Sequence, residues 1–455
     1  MEIDESIFRA YDIRGIYPRQ INEDIANKIG KAFGNIIGAG KEVIVGRDLR
    51  SSGENLKKGL IEGLNFSGVN VIDIGTVPTP IVYFAICNEK KDGGIVVTGS
   101  HLSSKWNGIK LCRENGLPLT YESGIEKIKD SIINERFSES VKKGKIIKRD
   151  FIEKYVQYLL SKVKINRKLK IIVDIGNGTC GEVAKKIFKN LKCKVKFLFP
   201  EPDENFPNHI PDPLKEETLK YLKEEVIKNK ADIGIAYDGD GDRIGIIDEK
   251  GNIIRNDILL ILIAKNALEK KKNLRFLFEV RCSRLTFELI KNSGGIPEFV
   301  RVGHSYIMQE ARKKKAIAGE LSGHFYFPEY YYDDGFFASL KIIEILSNSN
   351  KKLSEMIDFK KYCSSPEIRI DYPDDKKFDL VNRIKKIFID KKYEVIAIDG
   401  ARVEFKNGWG LVRASNTEPK VVLRFEGKDK KSLEEIKNKI MDVVKEEALK
   451  DGIKI

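Results

Sequence analysis

Runs of β-branched and other apolar residues alternate along the chain with stretches whose apolar positions recur at helical spacing, which is the pattern of an α/β protein. Glu42-Val-Ile-Val45 closes at Gly46, Gly94-Ile-Val-Val97 at Thr98, Lys170-Ile-Ile-Val-Asp174 at Gly176, and Ala231-Asp-Ile-Gly-Ile-Ala-Tyr237 at Asp238. Each run hands over to a loop containing Gly, Ser or Asp, and such loops at strand C-termini are where open α/β sheets carry their chemistry. Amphipathic helices are predicted from about 150, over 257–268 and over 432–449. Strands at 395–398, 402–405 and 421–425 precede the last of these, so the C-terminal part reads as a small α+β unit.

Three breaks mark domain seams: a basic stretch at 142–149, the turn Asp248-Glu-Lys-Gly-Asn252, and a change of texture at 362–366. They predict domains at 1–148, 149–249, 250–364 and 365–455. A chain of 455 residues is too long for one core, which agrees. No tight repeat and no low-complexity segment interrupts the pattern.

Composition narrows the class. With 41% hydrophobic and 33% charged residues the chain is globular and not disordered. No apolar run approaches the ~18–20 residues needed to span a bilayer. The start of the chain carries Glu2, Asp4 and Glu5 and no basic n-region, so a cytoplasmic protein without a membrane partner is expected. The six cysteines are scattered without a CxxC pair, which predicts buried or incidental thiols. The net charge of +14 comes from lysine doublets interspersed with Glu, the signature of solvated helix faces and not of a nucleic-acid surface. The same sign of charge can gather anionic phosphates in a cleft.

Four segments carry chemistry. In Asp238-Gly-Asp-Gly-Asp-Arg243 three carboxylates recur at every second residue directly after a strand, with glycines that let the backbone curl. Hard oxygen donors in such a cluster suit Mg²⁺ or Ca²⁺. A calcium EF-hand is excluded, because Arg243 stands where its loop needs Gly and the flank Gly245-Ile-Ile-Asp248 is strand-like. The second segment is Thr98-Gly-Ser-His-Leu-Ser-Ser-Lys-Trp-Asn-Gly-Ile-Lys110, whose backbone N–H groups can cup an anion. Ser100 and His101 are adjacent, and adjacent side chains seldom face each other, so spacing argues against a hydrolase triad. The third is Gly319-Glu-Leu-Ser-Gly-His324, with a carboxylate and a hydroxyl suited to vicinal sugar hydroxyls. The fourth is Arg413-Ala-Ser-Asn-Thr417, where a fixed cation, hydroxyls and an amide form a phosphate cradle.

In this order, and with Phe8-Arg-Ala-Tyr-Asp-Ile-Arg-Gly15 ahead of them, these segments resemble the α-D-phosphohexomutase superfamily over nearly the whole chain. Asp399-Gly-Ala-Arg402, Gly408-Trp-Gly-Leu-Val-Arg-Ala-Ser-Asn-Thr417 and Gly303-His-Ser305 are most similar to its phosphomannomutase/phosphoglucomutase branch. Phosphoglucosamine mutases tend to carry Gln where this chain has Leu321.

The resemblance implies three α/β/α domains with mixed sheets and a smaller C-terminal α+β domain around a central cleft. It implies that Ser100 carries a phosphate whose oxygen joins Asp238, Asp240 and Asp242 around Mg²⁺. Arg243 and Arg14 would pair with that phosphate, Tyr11 would line the site, and His101 would support the serine loop. Lys110 and His324 match residues proposed as general acid/base groups. Glu320 and Ser322 would hold the sugar hydroxyls, with His304 and Arg281 nearby, while Arg413, Ser415, Asn416 and Thr417 would grip the non-reacting phosphate. His209, in a Pro-rich loop, is left as a bystander.

The implied reaction moves phosphate between O1 and O6 of a mannose or glucose phosphate through a hexose 1,6-bisphosphate, in a monomer or small homo-oligomer whose partner is the phosphosugar. The alternatives are phosphoglucosamine mutase, a Mg²⁺-dependent phosphatase and a non-catalytic anion-binding protein. One departure stands out: the family's Ser-His-Asn-Pro and Tyr-Asn-Gly are Ser100-His-Leu-Ser103 and Trp106-Asn-Gly108 here. Losing proline removes a fixed φ from the turn.

Overall fold

The computed structural model describes residues 3–330, 332–360, 362–415 and 418–455. They divide into two compact units, one built from Met1–Asn256, Met308–Lys313 and Ser322–Ile357, the other from Asp257–Ile307, Lys314–Leu321 and Asp358–Ile455. No helix among the described residues is long and apolar enough to cross a membrane.

The first unit holds two sheets. In one, the strand order is Ile13–Ile16, Trp106–Arg113, Gly93–Val97, Glu42–Arg47, Asn70–Thr76, Ile146–Lys148. Its inner strands pair in parallel, and Trp106–Arg113 runs antiparallel to both Gly93–Val97 and Ile13–Ile16. Parallel strands need both faces covered, so Gly93–Val97 is buried at every position, as its unbroken apolar run requires. Helices Glu23–Ile37 and Ser51–Phe66 turn Ile25, Ile29, Phe33, Leu56, Leu60 and Leu64 into that core. The two helices cross so closely that a Cβ on Gly63 would sit 2.2 Å from the Asn27 carbonyl oxygen. The last strand, Ile146–Lys148, is exposed along its length and forms the sheet's outer edge, within the basic stretch.

The second sheet runs in the order Ile253–Ile254, Ile244–Asp248, Ile233–Tyr237, Lys170–Asp174, Lys194–Leu198. Ile233–Tyr237 pairs antiparallel with Ile244–Asp248, and Tyr237 faces Ile244 across the last rung. Residues 238–243 are therefore the loop of a β-hairpin, which explains why carboxylates two apart converge. The buried helix Gly335–Ser347 backs this hairpin: Phe336 packs on Tyr237, whose hydroxyl is 2.6 Å from Ser339 Oγ. Asp334 caps the helix by accepting from the Phe337 amide and also accepts from the Tyr155 and Tyr330 hydroxyls, at 2.7 and 2.5 Å.

In the second unit, strands Ile296–Val300, Arg275–Glu279 and Ile317–Gly319 pair in parallel. A separate antiparallel sheet is made of Cys363–Ser364, Lys420–Gly427, Gly408–Ala414, Ala401–Phe405 and Glu394–Ile396, with Ile368–Asp371 also on Lys420–Gly427. Helices Lys377–Asp390 and Lys430–Lys450 supply Leu380, Ile384, Phe388, Ile440 and Val444 to its core. The unit has the α+β texture read from the sequence, but the helix Lys377–Asp390 comes before Glu394–Ile396 and the strands after it, where the sequence reading had only the final helix.

Candidate active site

Ser100 is buried and takes a left-handed backbone, with φ +49°. A residue with a side chain pays strain there, and such strain collects at functional sites. Its Oγ lies 3.0 Å from Asp238 Oδ2 and 3.0 Å from His101 Nδ1. The expectation that neighbours 100 and 101 face apart therefore fails, because the positive φ swings the two side chains together.

The carboxylates of Asp238, Asp240 and Asp242 are all buried, and each offers one oxygen within 4.8 Å of the others. Gly241, at φ +79°, supplies the turn. Asp238 Oδ1 accepts from the amides of Gly241 and Arg243 at 2.9 and 3.2 Å, leaving its second oxygen toward Ser100. Asp240 Oδ2 is held by the Thr79 hydroxyl at 2.6 Å. Lys110 Nζ donates to Asp240 Oδ2 at 2.8 Å and to Asp242 Oδ2 at 2.5 Å. Arg243 Nε stands 3.8 Å from both Asp238 and Asp242.

The charges set the protonation. Burial, and then repulsion from Asp242 and Asp240, pushes the Asp238 carboxyl well above the usual range. Burial also acts on Asp242, but Lys110, His324 and Arg243 outweigh it and hold that carboxyl well below. Burial would strip the proton from Lys110; the Asp240 and Asp242 carboxylates overcome it and keep the ammonium. His101 is pushed well below its ordinary value by burial and by the charges of Arg243 and Arg14, so it is a neutral acceptor.

The donor set fits a divalent cation. The oxygens are hard, and Asp240 Oδ1 and Asp242 Oδ1 are buried without a hydrogen-bond donor. A buried polar atom without a partner is costly, and a cation seated between these two oxygens would take both up. The cluster is able to bind a metal ion.

Around this centre the first unit gathers further predicted residues. His324 Nε2 is 3.4 Å from Asp242 and 3.6 Å from Asp333, and its Nδ1 is 2.9 Å from Ser322 Oγ. Arg14, on the strand paired with Gly108, is ion-paired with Asp12 at 2.6 Å. Tyr11 is half-buried just before that strand. His209 hydrogen-bonds the Asp174 carboxylate at 3.2 Å and the Ile210 carbonyl at 2.9 Å.

The second unit carries the others. Arg281 is clamped by Glu279 and reaches Glu367 at 3.3 Å. Glu320 accepts from the Gly303 amide at 3.1 Å, and His304 Nε2 is 3.2 Å from Ser305 Oγ. Arg413 is buried, ion-paired with Asp399 at 3.1 Å, and its Nε has no acceptor. Ser415 Oγ accepts from the Glu418 amide at 3.1 Å. Asn416 and Thr417 lie outside the described residues.

Sequence reasoning missed Asp48, Arg50, Thr79 and Asp333. Asp48 Oδ2 accepts from the Thr98 hydroxyl and the Gly99 amide, each at 2.9 Å. Arg47-Asp-Leu-Arg50 follows the strand Glu42–Arg47, so the rule that flagged the other strand ends points to it as well.

Comparison with known proteins places this geometry. Models of phosphoglucomutase/phosphomannomutase α/β/α domains I, II and III match residues 5–139, 150–251 and 255–362, and that of the C-terminal domain matches 367–443. The chain is 40% identical to a phosphomannomutase/phosphoglucomutase of Pseudomonas syringae, covering 95% of this chain and 93% of that protein. It is 39% identical to a phosphomannomutase of Methanocaldococcus jannaschii, over 96% and 98% of the two chains. The crystal structure of a phosphoglucomutase/phosphomannomutase family protein from Burkholderia thailandensis superposes with a TM-score of 0.91 at 35% identity, covering 98% of each chain. With all four family domains matched in order along a chain whose strand-end loops converge on Ser100 and the acidic hairpin, this is an enzyme that belongs to the phosphoglucomutase/phosphomannomutase family.

Proposed function

We propose that the enzyme moves a phosphoryl group between O1 and O6 of mannose and glucose phosphates, with Ser100 as the carrier and a hexose 1,6-bisphosphate as the intermediate. The observation that supports this best is Ser100 Oγ at 3.0 Å from both Asp238 Oδ2 and His101 Nδ1, beside an acidic hairpin able to bind a metal. The hairpin would hold Mg²⁺, whose contribution when bound is to draw charge from the phosphate oxygens as a Lewis acid.

Phosphoryl transfer asks mainly for neutralisation and in-line placement. In the forward half, the bond from Ser100 Oγ to phosphorus breaks as the free sugar hydroxyl bonds to phosphorus. Lys110, kept as an ammonium, gives a proton to the departing Oγ, and His324 takes the proton of the attacking hydroxyl. In the return half, the phosphate at the other end of the bisphosphate passes to Ser100 Oγ, beside neutral His101; the Oγ proton returns to Lys110, and the sugar oxygen released from phosphorus takes the proton held by His324. Arg14 and Arg243 balance the phosphate's charge, and Tyr11 lines its surroundings. For the sugar, Glu320 and Ser322 accept and donate to hydroxyls, with His304 and Arg281 orienting them. Arg413, with Ser415, Asn416 and Thr417, grips the phosphate that is not reacting.

The test is a set of coupled assays on mannose 1-phosphate, glucose 1-phosphate and glucosamine 1-phosphate, with inorganic phosphate release measured alongside and intact mass read for one phosphate on Ser100. Isomerisation of the first two sugars is expected to exceed both the third and phosphate release. Equal or faster turnover of glucosamine phosphate, or faster release of phosphate, overturns the assignment.

A further inference from the structure

Arg50 stands at the N-cap of the helix Ser51–Phe66, where Ser, Thr, Asp or Asn is favoured, and its side chain makes no capping bond. It is 1% exposed, a burial that arginine tolerates only when its donors are taken up. They are taken up by the serine loop. Nη1 donates to the carbonyls of Ser103 and Trp106 at 2.6 and 3.1 Å, and Nη2 to those of Ser100 and Leu102 at 3.1 and 2.5 Å. Nε donates to Asp48 Oδ2 at 3.0 Å, so the guanidinium charge is balanced within the clamp. The ring of Phe206 covers it, 5.5 Å from the guanidinium carbon.

The loop is shaped to this guanidinium. A Cβ on Gly99 would fall 2.4 Å from Arg50 Nε, so only glycine lets the side chain pass. A Cβ on Gly239 would fall 2.4 Å from the Ser100 carbonyl oxygen, so the acidic hairpin is seated on the same peptide that Arg50 holds. The Ser100 amide is fixed in turn by the Thr98 hydroxyl at 2.8 Å. With both peptide groups of Ser100 tied, its strained φ and hence the direction of Oγ are set.

We infer that Arg50 is a positioning residue for phosphoryl transfer: its five-donor fork fixes the backbone of a serine loop that lacks proline, and so aims Ser100 Oγ. This rests on Ser100 being the phosphate carrier. It requires the fork and not the charge alone, since an ammonium is a point donor without the planar geometry that matches several carbonyls.

The test labels wild type, Arg50→Lys and Arg50→Met with ³²P from a hexose 1,6-bisphosphate, then measures single-turnover transfer from Ser100 to a hexose phosphate, counted per labelled serine. Misfolded protein takes no label, so a merely structural defect lowers the labelled fraction and leaves the rate constant unmoved. The expected result is a rate constant reduced about 10-fold in Arg50→Lys and about 100-fold in Arg50→Met, the loss that a displacement of ~1 Å produces. Binding of the hexose phosphate stays within about threefold. Rate constants per labelled serine within threefold of wild type in both variants overturn the clamp. Absence of label on Ser100 in wild type instead overturns the carrier reading on which it rests.

Discussion

The Lys110 ammonium group donates to Asp242 Oδ2 at 2.5 Å, and both side chains are buried. A lysine on the strand Trp106–Arg113 thus reaches into the acidic hairpin and holds two of its three carboxylates.

Lys110→Met removes the ammonium that keeps Asp240 and Asp242 together. Breaking a buried pair from one side costs about 3–5 kcal/mol. In EDTA the variant is expected to unfold at lower urea than wild type by that amount, with saturating Mg²⁺ restoring most of the difference. Turnover is expected to stay down about 10²–10⁴-fold even with Mg²⁺, since Lys110 is the proposed proton donor. Urea titrations with and without Mg²⁺ separate the two effects.

Asp240→Asn keeps the shape of the hairpin and removes a charge. Weaker Mg²⁺ binding by calorimetry is expected, together with a fall in turnover of about 10²–10³-fold. Mg²⁺ affinity equal to wild type would show that the cation sits elsewhere.

Asp334 carries a pH signature. Burial pushes its carboxyl up to about 7, against the donors from Tyr330, Phe337 and Tyr155 that favour the charge. The folded chain therefore keeps a proton that the unfolded chain, with an ordinary Asp near 4, has released. Stability falls as pH rises between about 4 and 7. Asp334→Asn keeps the helix cap and removes the titration, so its denaturation midpoint loses this slope and exceeds wild type's relative position at pH 8.

Arg413→Ala tests the phosphate grip. Loss of a charge-assisted hydrogen bond of about 1.5–3 kcal/mol raises KM for the hexose phosphate about 10–100-fold. Arg413→Lys recovers only part of this, because a fork is replaced by a point charge. Steady-state kinetics with both variants check it. An unchanged KM removes Arg413 from substrate binding.

What could be read from the sequence follows the range of the contacts. The acidic hairpin was legible because its three carboxylates are local, spaced two apart between strands that announce themselves. Of the C-terminal sheet, Glu394–Ile396, Ala401–Phe405 and Lys420–Gly427 were legible as short apolar runs, whereas the strand between the last two, Gly408–Ala414, was not read as one. Arg50 and Thr79 were not, since their partners lie far along the chain: Arg50 bonds carbonyls about fifty residues on, and Thr79 bonds Asp240. The meeting of Ser100 with His101 was hidden because spacing rules assume ordinary backbone, and Ser100 has φ +49°.

The outer strand Ile146–Lys148 presents unpaired backbone groups and two exposed isoleucines, Ile146 and Ile147, at the end of a sheet. Such an edge is a template on which another chain could add a strand and begin a fibre. Here Lys142, Lys145 and Lys148 stand among the same few residues, with Lys143 paired to Glu139 and Arg149 to Glu89, so an edge-to-edge approach of a second copy brings an excess of positive charge against its like. The basic stretch at 142–149 is thus placed to disfavour edge-to-edge association, and acetylation of its lysines would weaken that repulsion.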